Sequence, residues 1–158
     1  MKKILSAALT LALLVSLVSC RKDVSARDMM DAFMAEYKIS ATVYSPSVPE
    51  GESGYVFDGF FELVYSGGEE SVADYAAVFL SDTKSIAECA FFLCTSEYDA
   101  IRISEICLWR IELVNSLVGY PPAEDNPPAV IRRGRWVFMA ILDDNARASA
   151  VASRILRR

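Results

Sequence analysis

Apolar positions along this chain fall into three patterns, and each predicts a different kind of element. The first is a solid run: Ile4 to Val18 is broken only by Ser6, Thr10 and Ser16, follows Met1-Lys2-Lys3, and ends at Leu17-Val18-Ser19-Cys20. It is well short of the ~20 residues a helix needs to cross a bilayer, so it reads as a cleavable export signal over residues 1–19. The second pattern is helical. Met29, Met30, Phe33 and Tyr37 recur three or four residues apart behind Ser25 and Asp28, which predicts a capped helix over Ala26 to Lys38. Pro, Gly and Ser then fill Ser45 to Gly54, a loop by composition. Asp58 to Tyr65 reads as a short helix capped by Asp58 and stopped by Gly67-Gly68, with a strand as the alternative.

The third pattern is short and apolar throughout. Tyr75 to Leu80 and Cys89 to Cys94, separated by Ser81-Asp82-Thr83-Lys84, suit two neighbouring buried strands, since a helix through both would have no polar face. Ser96 and Asp99 cap the next helix, Glu97 to about Val118, which Gly119 and Pro121-Pro122 stop. Its apolar arc holds Ile103, Ile106, Cys107, Ile111, Leu113, Val114 and Leu117, whereas Arg102, Glu105, Glu112 and Ser116 face away. Beyond Glu124 to Pro128, Ala129 to Arg132 and Trp136 to Leu142 flank Arg133-Gly134-Arg135 as a hairpin. Asp143-Asp144-Asn145 then caps a last helix, Ala146 to Arg157, with Ala148, Val151, Ala152 and Ile155 on its apolar side and Arg147, Arg154 and Arg158 opposite. The predicted fold class is α+β: a small antiparallel sheet with helices packed on it. Residues 20–54 form a tether, helix and loop, and residues 55–158 the single domain.

Charge narrows the partners. Cleavage before Cys20 takes Lys2 and Lys3 from the 16 basic residues and none of the 21 acidic ones, moving the net charge from −5 to about −7, which argues against nucleic acid. Between Glu50 and Asp99 the only base is Lys84, while seven arginines from Arg132 onward crowd the end. Leu17-Val18-Ser19-Cys20 resembles the lipobox of bacterial lipoproteins, which implies a diacylglyceryl group on Cys20 and removal of the leader in front of it. Two acyl chains are what stable membrane attachment requires. An ordinary secretory signal with a chance cysteine is the alternative.

The residue types exclude much chemistry. With no histidine in the chain, Ser-His and Cys-His nucleophile pairs and most zinc sites are ruled out. Gly67-Gly68 is followed by Glu69-Glu70, whose charge would repel a phosphate. Cys89, Cys94 and Cys107 are odd in number, show no C-x-x-C spacing and lie among apolar residues, so they read as small core residues. Glu69-Glu70, Glu124-Asp125 and Asp143-Asp144 each sit in a predicted turn, where capping or solvation explains them; Asp143-Asp144-Asn145 lacks the alternating ligands of a calcium loop. No catalytic residue, cofactor or metal is assigned. The candidate contacts are Arg110, Trp109, Arg132, Arg133 and Arg135. Arg110 falls inside the apolar arc and needs a partner, either an internal carboxylate such as Glu88 or an anionic ligand. Trp109 lies on the polar side of the same helix, where an exposed indole suits a contact surface. Arg132, Arg133 and Arg135 are either a solvated hairpin tip or a contact for anionic lipid or wall polymer.

A wider resemblance follows from these positions. Ala76-Ala77-Val78-Phe79, Glu88 leading the next strand, Arg110 in the following helix, Tyr120-Pro121 after it, and Gly134-Arg135-Trp136-Val137 opening a strand that ends Asp143-Asp144-Asn145 look like a family of small Firmicutes lipoproteins. That family is catalogued as domain of unknown function four-three-five-eight. The resemblance spans Phe57 to Leu156, and the chain departs from it in its extra arginines near the hairpin and its cysteines. It implies export and the fold, and no activity. The function expected is that of a membrane-anchored extracytoplasmic lipoprotein serving as a non-catalytic binding or assembly module, with anionic lipid, wall polymer or a protein as partner. The alternative is a cell-wall glycoside hydrolase using two carboxylates.

Overall fold

The computed structural model describes residues 24–81, 86–118 and 125–157. The export signal, Cys20, most of the turn after Ser81, the Gly119 to Pro122 helix stop and Arg158 lie outside the described residues. The described chain is α+β. Five antiparallel strands form one sheet: β1 (Val43–Tyr44), β2 (Val72–Ser81), β3 (Ile86–Cys94), β4 (Ala129–Arg133) and β5 (Trp136–Ile141), in the order β1-β2-β3-β5-β4. Four α-helices accompany it, namely α1 (Ala26–Tyr37), α2 (Phe60–Tyr65), α3 (Glu97–Val118) and α4 (Asn145–Ile155).

The helices cover both faces of the sheet. α1 and α4 pack on one side, where Val78, Cys89, Phe91, Phe138 and Ala140 meet Met30, Phe33, Val151 and Ile155. α2 and α3 pack on the other, where Ala77, Ala90, Phe92, Val137 and Met139 meet Phe61, Tyr65, Ile103 and Cys107. Successive strand residues alternate between the two cores, so the central strands are apolar at every position. That is why Cys89 to Cys94 and Trp136 to Leu142 show no polar alternation in sequence. Since α1 and β1 belong to this arrangement, the sheet and its helices draw on residues on both sides of position 55.

Local chemistry sets most boundaries. Ser25 and Asp28 form the reciprocal capping box expected of them, and α1 ends at Lys38, which turns the chain in the left-handed region at φ 64°. Asp58 does not cap α2. Gly59 holds that place at φ 84°, a conformation open to it because it has no Cβ, and no side chain caps the helix. The strands run longer than their apolar runs, because pairing of β2 with β3 continues to Val72 and to Ile86. Arg133 belongs to β4 and not to the turn: it pairs with Trp136, leaving Gly134 at φ 54° and Arg135 as the two-residue connection. Leu117, placed in the apolar arc by its spacing, is instead 68% exposed in the last turn of α3. The short strand β1 has no counterpart in the sequence reading; two residues show no periodicity.

Candidate functional site

Arg110 sits on the sheet-facing side of α3 and Glu88 at the inner side of β3, where it is flanked by Phe79 of β2 and Ile141 of β5. Arg110 donates from Nε to Glu88 Oε1 at 2.9 Å and from Nη2 to Oε2 at 2.7 Å, a two-pronged pair matched to the guanidinium fork. The side chains are 16% and 1% exposed. The hydrogen bonds from Arg110 to Glu88 push the Arg110 pKa upward, so the guanidinium stays charged. This is the internal partner that its position on the helix demands, and it fastens α3 to the middle of the sheet. Its two-pronged carboxylate partner leaves Arg110 a positioning role in the fold.

The cysteines are equally internal. Cys89, Cys94 and Cys107 are free and buried. Burial pushes the Cys89 and Cys94 thiols up to about 12 and raises Cys107 as well, so none is a thiolate near neutral pH. Three acids in turns and first turns have structural partners, while Glu124 lies outside the described residues. Asp99 accepts from Ser96 Oγ at 2.6 Å and also from Thr95, hydrogen bonds that hold its carboxyl below the usual carboxylate range. Glu70 pairs with Arg102, and Asp144 caps α4 by accepting from the Arg147 N–H at 2.8 Å. Among the described residues no group of three or more potential ligands gathers for a metal ion, and no helix is long and apolar enough to cross a membrane.

What remains for function lies on two surfaces. The outward face of α3 presents Tyr98 (79% exposed), Ile101 (44%), Leu108 (53%) and Trp109 (46%). Their spacing of three, seven and one places them on one side of the helix with Glu105 and Glu112 between and beside them. Trp109 and Arg110, adjacent in sequence, are thus divided by the helix: one faces water and the other the sheet. The second surface is a groove of about 420 Å³ beside the outer edge of β4, lined by Ile131, Arg132 and Arg133 from β4 and by Ser153, Leu156 and Arg157 from α4 and its end. It brings Arg133 together with Arg157, has Arg132 at its edge with a side chain that starts from the opposite face of the strand, and leaves Arg135 in the turn outside.

Two features had little signal in the sequence. Arg157 joins the groove through the return of α4 along β4, a tertiary fact. Asn126 and Asn145 form a polar knot: Asn145 Oδ1 accepts the Leu142 N–H at 2.8 Å, Asn126 Oδ1 accepts the Asn145 N–H at 2.7 Å, and Asn126 Nδ2 donates to the Leu142 and Asp143 carbonyls. Asn145 is 3% exposed. Its place in an Asp-Asp-Asn run suggested a cap, but only the neighbouring Asp144 serves as one.

No family model matches the chain, and no curated protein or solved structure does either.

Proposed function

We propose that this protein is a membrane-anchored extracytoplasmic lipoprotein whose domain is a non-catalytic assembly module, holding a partner protein against the outward face of α3. The observation that carries this reading is the exposure of Tyr98, Ile101, Leu108 and Trp109 on one side of one helix. α3 is already fixed through Ile103, Cys107, Ile111, Val114 and the Arg110–Glu88 pair, so folding alone gives no reason to present four large apolar side chains to water. Burying what each still exposes against a partner would contribute on the order of 1 kcal/mol before the cost of association. Glu105 and Glu112 on the same face favour a partner whose apolar groove has a basic rim.

Anchorage rests on the basic start, the apolar leader and Leu17-Val18-Ser19-Cys20, and on the resemblance to exported lipoproteins. A two-chain lipid at Cys20 would keep the module at the membrane and raise its effective concentration toward a membrane partner. A two-carboxylate hydrolase is less well supported, because Glu88 is committed to Arg110 and Asp28, Asp99 and Asp144 to helix caps. The test has two arms. Cys20→Ala should release the protein from membranes or leave the leader uncut. Leu108→Ser with Trp109→Ser should cost about 1–3 kcal/mol of folding stability, both side chains being half buried, and leave the domain folded in a thermal melt, yet shrink the detergent-extracted complex to the lone lipoprotein. A complex of unchanged size with the α3 variant would reject the docking face, and unmodified Cys20 at the mature start would reject the anchor.

A further inference from the structure

The groove beside β4 departs from the rest of the molecule in charge. The chain as a whole is acidic, with 21 acidic against 16 basic residues. Yet the groove's six lining residues include three arginines and no carboxylate. Elsewhere on the surface three arginines are matched, Arg27 with Asp31, Arg102 with Glu70 and Arg154 with Glu36, and Arg147 is held by backbone carbonyls. Arg132, Arg133 and Arg157 have no ion pair among the described residues. Arg157 donates from Nε to the Ser153 carbonyl at 3.1 Å, which steadies its guanidinium while its terminal nitrogens remain open to a ligand.

Like charges gathered without a counter-charge repel one another, and the repulsion is relieved when an anion enters. β4 is the last strand of the sheet, so its outer edge is unpaired by any described strand and leaves the groove open along one side. Ile131 and the buried Leu156 give it an apolar floor, and Ser153 is a further lining residue with a hydroxyl. Arg133 faces α4 on the same side of the strand as Ile131, whereas Arg132 between them starts from the opposite face and lines the groove at its edge. Two guanidiniums from two elements, Arg133 and Arg157, suit a tetrahedral anion, whose oxygens point in several directions, better than a planar carboxylate, which one arginine fork already satisfies.

We infer that the groove formed by Arg133, Ser153 and Arg157 is a binding site for a phosphate ester, with the phosphate on the two arginines and its organic substituent over Ile131 and Leu156. The site is separate from the face of α3 and does not depend on it. Glycerol 3-phosphate and phosphatidylglycerol carry the same chemistry in soluble and membrane-bound form.

The full chain, purified in neutral detergent, can be titrated calorimetrically with glycerol 3-phosphate, and in parallel with mixed micelles of that detergent and phosphatidylglycerol. Saturable binding in the first titration assigns a soluble ester as ligand; binding in the micelle titration alone assigns the lipid headgroup. Arg133→Gln with Arg157→Gln should weaken binding at least tenfold, whereas Arg135→Gln, in the turn outside the groove, should leave it within about twofold. A thermal melt checks that the variants fold, and none of these three arginines is held in an ion pair that folding would lose. No heat of binding in either titration would overturn the assignment, as would equal loss from Arg135→Gln, which would mark a diffuse basic tip.

Discussion

At the scale of single residues, the chemistry of this domain is mostly committed to its own interior. Arg110 and Glu88 form a buried pair, and removing one partner strands the other, a loss of about 3–5 kcal/mol. Arg110→Met should therefore be better tolerated than Arg110→Ala, because Met fills the space that Ala leaves empty while both strand Glu88. Adding Glu88→Gln to Arg110→Met should recover part of the loss, with a coupling of at least ~1 kcal/mol in a denaturant-melt cycle. Strict additivity would mean the two side chains do not share an energy. The thiols give a second test. Cys89 and Cys94 hold their protons to about 12 in the folded protein because they are buried, whereas unfolded thiols ionise near ~8.5. Across that window the folded chain binds protons the unfolded chain has released, so the contribution to stability is complete below the unfolded value and falls as pH rises. Each thiol adds a slope of up to about 1.4 kcal/mol per pH unit. Urea melts between about pH 8 and about pH 11 should show midpoints falling steadily, and a Cys89→Ala, Cys94→Ala double variant should show a shallower fall.

At the scale of elements, the joint between β5 and α4 shows how two residues hold a turn that the backbone alone leaves unpaired. Asn145→Ala would leave the buried Leu142 N–H without its acceptor and remove the bond from Asn145 Nδ2 to the Asn126 carbonyl, so a loss of roughly 2–4 kcal/mol is expected in a thermal or urea melt. A loss no greater than that of a surface substitution would mean the knot is not formed. This joint also marks the edge of what the sequence made legible. Wherever an element buries one stripe or two whole faces, as in α1, α4, β3 and β5, apolar spacing carries the information, and Ser25, Ser96 and Asp144 announce the caps. Arg110 was legible for the same reason: a charge inside an apolar arc breaks the pattern and demands a partner, and Glu88 is the acid leading the neighbouring strand. Asn126, β1 and the Gly59 cap were not legible, since each depends on a contact or a backbone angle set by residues distant in sequence or by the turn itself. Arg132 and Arg133 stood out by composition, while their grouping with Arg157 and not Arg135 needed the packing of α4 along β4.

At the scale of the whole molecule, the two layers of helices divide the labour. The α1–α4 layer is tied together across elements by Arg154 with Glu36 and by Arg147, which donates to the Tyr37 carbonyl at 3.1 Å and lies 4.8 Å from the Tyr37 ring centroid. The opposite layer leaves four large apolar side chains uncovered on the outward side of α3. An exposed patch that carries a tryptophan and a tyrosine with charges among and beside them is an arrangement in which a few residues can carry most of a binding energy. The most direct test is photocrosslinking in the cells that make the protein, with a photoreactive residue placed at position 101 or 109 on α3, or at position 154 on the opposite layer. The account predicts one discrete adduct of the same mass from positions 101 and 109 and none from position 154. Absence of any adduct from the α3 positions, or the same adducts from all three, would contradict it.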